Sequence, residues 1–99
     1  MSWQNAAAQA KRITASGVIS TANKASILWG ITLTAAAADA TVDLRNGGSG
    51  GTILWSIHVK LEEGSNSIPF TKPIMFSTDI FATLMGSGAI VSVAFEEME

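Results

Sequence analysis

The sequence has no cysteine, two prolines and one histidine, and only 14% of its residues are charged. Without cysteine, disulfides and thiolate metal sites are excluded, and the redox compartment is left undecided. The six Lys and Arg residues are scattered apart from the Lys11-Arg12 pair, and the net charge is -2. Binding nucleic acid requires a basic patch that neutralises phosphates, so no nucleic-acid partner is expected. No apolar run approaches the roughly 20 residues of a membrane-spanning helix, and no membrane partner is expected either. The first 12 residues lack a basic start followed by an apolar run, so they do not read as a secretory leader, and synthesis in the cytoplasm of the producing cell is expected.

What is present is hydrophobic: 47% of the 99 residues. A chain of this length is one domain, and it buries only about two-thirds of the surface its unfolded form would expose. Charge at 14% compares with about 25% in an ordinary globular domain. The surface must therefore carry Ser, Thr, Gly, Ala and some apolar groups, a composition that favours association, with a homotrimer or another closed assembly of identical copies expected.

From residue 12 onward, short runs alternate at period two between clusters of Gly, Ser, Asn and Asp, the signature of a sandwich or barrel. Ile13, Ala15 and Ile19 share a face of the first run. In the second, Ile27, Trp29, Ile31 and Leu33 alternate with Gly30, Thr32 and Thr34. Val42 and Leu44 alternate with Thr41, Asp43 and Arg45. A glycine-rich stretch, residues 46–51, then serves as a hairpin loop. Next, Ile53, Trp55, Ile57, Val59 and Leu61 oppose Ser56, His58, Lys60 and Glu62, which reads as a half-buried antiparallel strand. Pro69 and Pro73 remove backbone donors, placing their segment at a sheet edge or a crossing between sheets. In the last strand, Ala89, Val91, Val93 and Phe95 alternate with Ile90, Ser92 and Ala94. The expected fold is all-β: a single antiparallel, jelly-roll-like β-sandwich of seven to eight short strands over residues 12–99, preceded by an N-terminal arm, residues 1–11. The expected core comprises Ile27, Trp29, Ile31, Leu33, Ile53, Trp55, Ile57 and Val59. The segment Ile27-Leu28-Trp29-Gly30-Ile31 is echoed by Ile53-Leu54-Trp55-Ser56-Ile57, read as two core strands meeting the same packing problem.

Catalytic chemistry finds little support. His58, the sole histidine, lies on a polar strand face, and no nucleophile elbow surrounds any serine. Glu62-Glu63 and Glu96-Glu97-Glu99 are sequence neighbours, not carboxylates facing each other across a cleft. Asp39, Asp43 and Asn46 are a thin set of oxygen ligands for calcium. The loop Gly47–Gly51 lacks the Gly-Lys-Ser/Thr ending of a phosphate loop. No catalytic residue, metal site or cofactor is therefore expected. The arm is different: Trp3, with the small residues Ala6, Ala7 and Ala10, reads as a partner-binding anchor, because a large aromatic outside the strands is costly unless it docks.

Three further stretches carry a family likeness: Gly17-Val18-Ile19-Ser20, the run from Leu28 through Ala35, and the run from Ala40 through Gly47. With Gly51-Thr52-Ile53-Leu54, Ile68-Pro69-Phe70, Ile74-Met75-Phe76-Ser77-Thr78 and the run from Ala82 through Ala89, they resemble small β-rich accessory proteins encoded among tailed-phage structural genes. The resemblance covers roughly residues 12 to 95. It implies a virion structural protein, first of all a capsid decoration (cement) protein bound to phage capsid or tail proteins. The alternative is a small tail or fibre module binding a host receptor or carbohydrate, for which exposed indoles would be needed. Trp29 and Trp55 depart from the smaller or tyrosine-like residues of that group, and the Trp3-bearing arm has no match there.

Overall fold

In the structure, a computed structural model that describes residues 9–97, eight strands form two four-stranded antiparallel sheets. They are β1 (Gln9–Ile13), β2 (Gly17–Val18), β3 (Ser26–Thr34), β4 (Ala40–Asn46), β5 (Thr52–Val59), β6 (Ser65–Phe76), β7 (Ile80–Met85) and β8 (Ile90–Glu97). The first sheet has the order β1-β8-β3-β6 and the second β2-β7-β4-β5. Both orders follow from one nested pairing. The β4–β5 hairpin is the tip of a long ribbon in which β3 pairs β6, β2 pairs β7 and β1 pairs β8. Rolled over itself, that ribbon is a jelly roll, the eight-stranded double-sheet architecture.

The hairpin turns where the glycines allow it. Gly47 and Gly48 have φ of 102° and 79°, the left-handed region open to glycine. A Cβ on Gly51 would collide with the Asn46 carbonyl. Beneath this loop lies Asp79, only 4% exposed. Its Oδ1 accepts the Gly47 and Gly48 N–H groups at 3.2 and 3.1 Å, and its Oδ2 accepts the Asn23 N–H at 3.0 Å. One buried carboxylate thus ties together three loops at one end of the sandwich, its desolvation offset by charge-assisted hydrogen bonds.

The inner faces supply the core. Leu28, Ile31, Leu33, Phe76, Val91, Val93 and Phe95 of the first sheet meet Val42, Leu44, Ile57, Val59, Ile80 and Ala82 of the second. Ile31, Leu33, Ile57 and Val59 are buried as the alternation predicts, but the other four expected core residues, Ile27, Trp29, Ile53 and Trp55, are not fully buried. Trp29 is 38% exposed and Ile27 half-buried, while Leu28 between them is fully buried. The reason is a β-bulge: against β8, Leu28 pairs Phe95 and Gly30 pairs Ala94, so Trp29 is one residue too many. A bulge reverses which parity faces inward, from even numbers before it to odd numbers after it.

The same event occurs in β5. Leu44 pairs Trp55 and Arg45 pairs Ile53, leaving Leu54 extra, so Ile53 moves to the outer side at 44% exposed. Leu61 leaves the strand for a 3₁₀ turn, Leu61–Glu63, and is also exposed. Trp55 is half-buried and packs against the core, edge-on to Phe70 with ring centroids 5.0 Å apart. Its indole Nε1 is buried and has no hydrogen-bond partner among the described residues.

Pro69 and Pro73 do fall on an edge strand, β6. Their segment is one twelve-residue strand whose register jumps from Leu28↔Ile74 to Gly30↔Pro69, setting residues 70–73 opposite Trp29 alone. At the other end, β1 starts at Gln9, so Ala10 and Lys11 belong to the sheet, and not to an arm reaching residue 11. Trp3, Ala6 and Ala7 lie outside the described residues.

The bulge yields a prediction opposite to simple alternation. Leu28→Ala removes a fully buried side chain and is expected to cost about 2–5 kcal/mol, whereas Trp29→Ala is expected to cost less than about 1 kcal/mol. Urea unfolding of both variants measures the difference, and a costlier Trp29 variant would refute the register.

Candidate functional site

The two outer faces of the sandwich differ in chemistry. On the second sheet, polar side chains pair across neighbouring strands. Ser56 Oγ donates to Asp43 Oδ1 at 2.7 Å, and Thr41 Oγ1 pairs with His58 Nδ1 at 2.8 Å. Arg45 donates through Nε to Thr83 Oγ1 at 3.0 Å and through a terminal nitrogen to the Gly51 carbonyl at 3.1 Å, and lies 3.9 Å from Asp43. His58 is therefore one member of a surface ladder, paired with the Thr41 hydroxyl and with no orienting carboxylate among its hydrogen-bond partners in the described residues. The oxygen-bearing residues weighed for calcium are also dispersed. Asp39 accepts the Leu61 N–H at 2.9 Å, Asp43 serves Ser56, and Asn46 bridges to Ser77 and Thr78. No group of three His, Cys, Asp or Glu side chains able to hold a metal occurs among the described residues.

The first sheet presents a trough. Ala10 pairs Ala94, Ala94 pairs Gly30, and Gly30 pairs Pro69, so four small or flat residues line up across all four strands. On one side the next row is Arg12, Ser92, Thr32 and Ser67, where the Thr32 and Ser67 hydroxyls share a hydrogen bond of 2.7 Å. On the other side stand Glu96, Ile27 and Met75, with Trp29 beside them. Met75 is 48% exposed, and the Trp29 indole Nε1 donates to Glu96 Oε1 at 3.4 Å. The row from Ala10 to Pro69, with Thr32, Ser67 and Ser92 beside it, lines an open depression of about 370 Å³. An apolar floor beside an exposed indole and thioether is what a docking surface needs, because its contact with water is costly and its shape admits a protruding apolar group.

Of the residues expected to bind a partner, Ala10 lines this trough, while Trp3, Ala6 and Ala7 fall outside the described residues. Trp29, expected in the core, stands at its rim. Gly30, Pro69 and Ala94 were missed. A lone glycine inside a strand pattern signals a bulge or a close approach of backbone, and Gly30 carried that signal. A Cβ built there would meet only the Ile68 carbonyl oxygen at 3.5 Å and the Pro69 Cα at 3.8 Å, both ordinary contacts. The glycine is thus not demanded by crowding; it keeps the trough open.

No family model and no curated protein matches this chain. Among solved structures it is similar to a protein of Bacillus endospore appendages, described as forming a novel family of disulfide-linked pili. The two share 12% identity at a TM-score of 0.53, over 94% of this chain and 90% of that one. The likeness is one of fold.

At the end of the first sheet, Glu97 ties β8 to the loop after β2. Hydrogen bonds from the Thr21 side chain and its backbone N–H, the latter at 2.6 Å, hold this carboxyl below the usual carboxylate range, with a smaller contribution from Lys24 and against the effect of burial. A lowered folded-state pKa stabilises above the unfolded value and loses its effect as pH falls through the folded value. Glu97→Gln is therefore expected to melt below the parent at neutral pH, with the gap closing in acid below the carboxylate range. A gap that stays constant across thermal melts from neutral pH into that range would contradict the assignment.

Proposed function

We propose that this chain is a non-enzymatic structural subunit that works by docking, and within that class a virion accessory protein decorating an assembled phage shell as an oligomer. The observation that carries the docking role is the contrast between faces: side-chain hydrogen bonds satisfy the outer surface of the second sheet, while the first presents an apolar trough rimmed by Trp29 and Met75. The phage setting is supported by the resemblance of residues 12 to 95 to virion accessory proteins. Weak individual contacts suffice for such a role, since many copies on a lattice hold through multivalency.

A second reading, self-assembly into a filament, draws on the fold shared with a pilus-forming protein. This chain has no cysteine, so these 99 residues would be held in a filament by non-covalent contacts. A carbohydrate-binding tail module gains the exposure of Trp29, but the floor beside that indole is Ala, Gly and Pro in place of a polar groove.

Immunogold electron microscopy of particles from cells producing the chain separates these readings. Label over phage heads is expected. Label along free filaments would replace the first reading with the second, label at tail tips would favour the carbohydrate module, and label on no assembly would overturn all three. Gly30→Val fills the trough with little strain on the fold. Its melting temperature is expected to stay within a few degrees of the parent's, an effect below about 1 kcal/mol, while attachment to particles is lost in co-sedimentation. Undiminished attachment would remove the trough from the docking surface.

A further inference from the structure

Among the described residues, four strands form the sheet edges, and an edge strand exposes unpaired backbone groups that invite another strand unless it is blunted. Three of the four are blunted. β2 has two residues, β1 carries the adjacent charges Lys11 and Arg12, and β6 carries Pro69, Lys72 and Pro73 with its register broken at residues 70–73. The fourth, β5, is eight residues long and contains neither proline nor any Lys, Arg, Asp or Glu. Its own bulge lies near its start, at Leu54, and residues 55–59 pair with β4 in unbroken register.

We infer that β5 is an interface for a second copy of this chain, pairing antiparallel with the partner's β5 to join the two second sheets into one eight-stranded sheet. Charge selects a copy of itself as the occupant. An antiparallel self-pairing about a twofold axis sets the residue on the axis opposite its own mate and residues equally spaced on either side opposite one another, so charges of one sign on the strand are brought together and destabilise. Among the edge strands longer than two residues, β5 alone meets that condition without repulsion.

The exposed apolar residues point the same way. Ile53 and Leu54 at the start of β5 and Leu61 just past its end are 44%, 38% and 43% exposed. Within one chain, Leu54 and Leu61 are roughly 23 Å apart, from about 3.3 Å per residue along a strand. Pairing about a twofold axis near Ile57 brings Ile53 and Leu54 of one copy beside Leu61 of the other, twice. Three exposed apolar side chains are then covered in one step. This interface is separate from the trough on the first sheet, so either can fail without the other.

The test is a charge swap read by sedimentation equilibrium on the full chain. The parent is expected to be a dimer, and Leu54→Lys or Leu61→Glu alone to raise the dimer dissociation constant about tenfold or more by burying an unpaired charge. The double variant is expected to recover much of the parent's affinity. The two sites are too far apart in one chain for their charges to meet, so recovery must occur between copies. Met75→Lys, on the other sheet, and Gly30→Val are expected to leave the dimer intact. Hydrogen exchange of the unaltered chain guards against a variant that misfolds, with amides of residues 55–59 gaining protection as concentration rises. A monomeric parent, a trimer, single variants without effect, a double variant weaker than both singles, or a dimer broken by Met75→Lys would each overturn the inference.

Discussion

One extra residue in an interior strand governs the shape of this molecule. β3 is paired on both sides, and Trp29 has no partner in the register with β8. A strand held by two neighbours cannot absorb an extra residue by sliding, so the backbone bulges and its alternation reverses. Leu28, Ile31 and Leu33 then all reach the core, and the indole is put outside. On the β6 side the same irregularity sets residues 70–73 against that single residue. Phe70 lies in this segment and packs edge-on against Trp55 of the opposite sheet, a geometry aromatic rings favour.

Around that distortion the rest of the sandwich is conventional. The nested pairing of strands needs only one tight hairpin, and its glycine loop sits over a buried carboxylate that satisfies two of its amides. Asp79 is costly to bury, and three backbone N–H donors offset that cost where no cation lies within salt-bridge reach among the described residues. The loops at this end are therefore cross-linked by hydrogen bonds in a chain without disulfides.

A small domain with few charges has little with which to cover its apolar groups, and here they are concentrated. The outer face of the second sheet is laced by side-chain pairs, while the first sheet carries the trough and the margin of β5 carries Ile53 and Leu54. Two separate surfaces are then available for contact with other molecules, which suits a subunit of an assembly better than a solitary domain.

The amino-acid sequence by itself determined the fold class, most strand positions, the glycine hairpin and the edge placement of Pro69 and Pro73. These are local matters: period-two alternation, turn chemistry and missing backbone donors act within a few residues of one another. Ile31, Leu33, Ile57 and Val59 were legible as core for that reason. Tertiary structure alone decided the fate of Trp29, Ile53 and Leu54, because a bulge depends on how many residues the neighbouring strand supplies, and that strand lies far away in sequence. It alone also built the trough. Ala10, Gly30, Pro69 and Ala94 come from four strands across the chain, and no local pattern could place them in one row before the ribbon had rolled up.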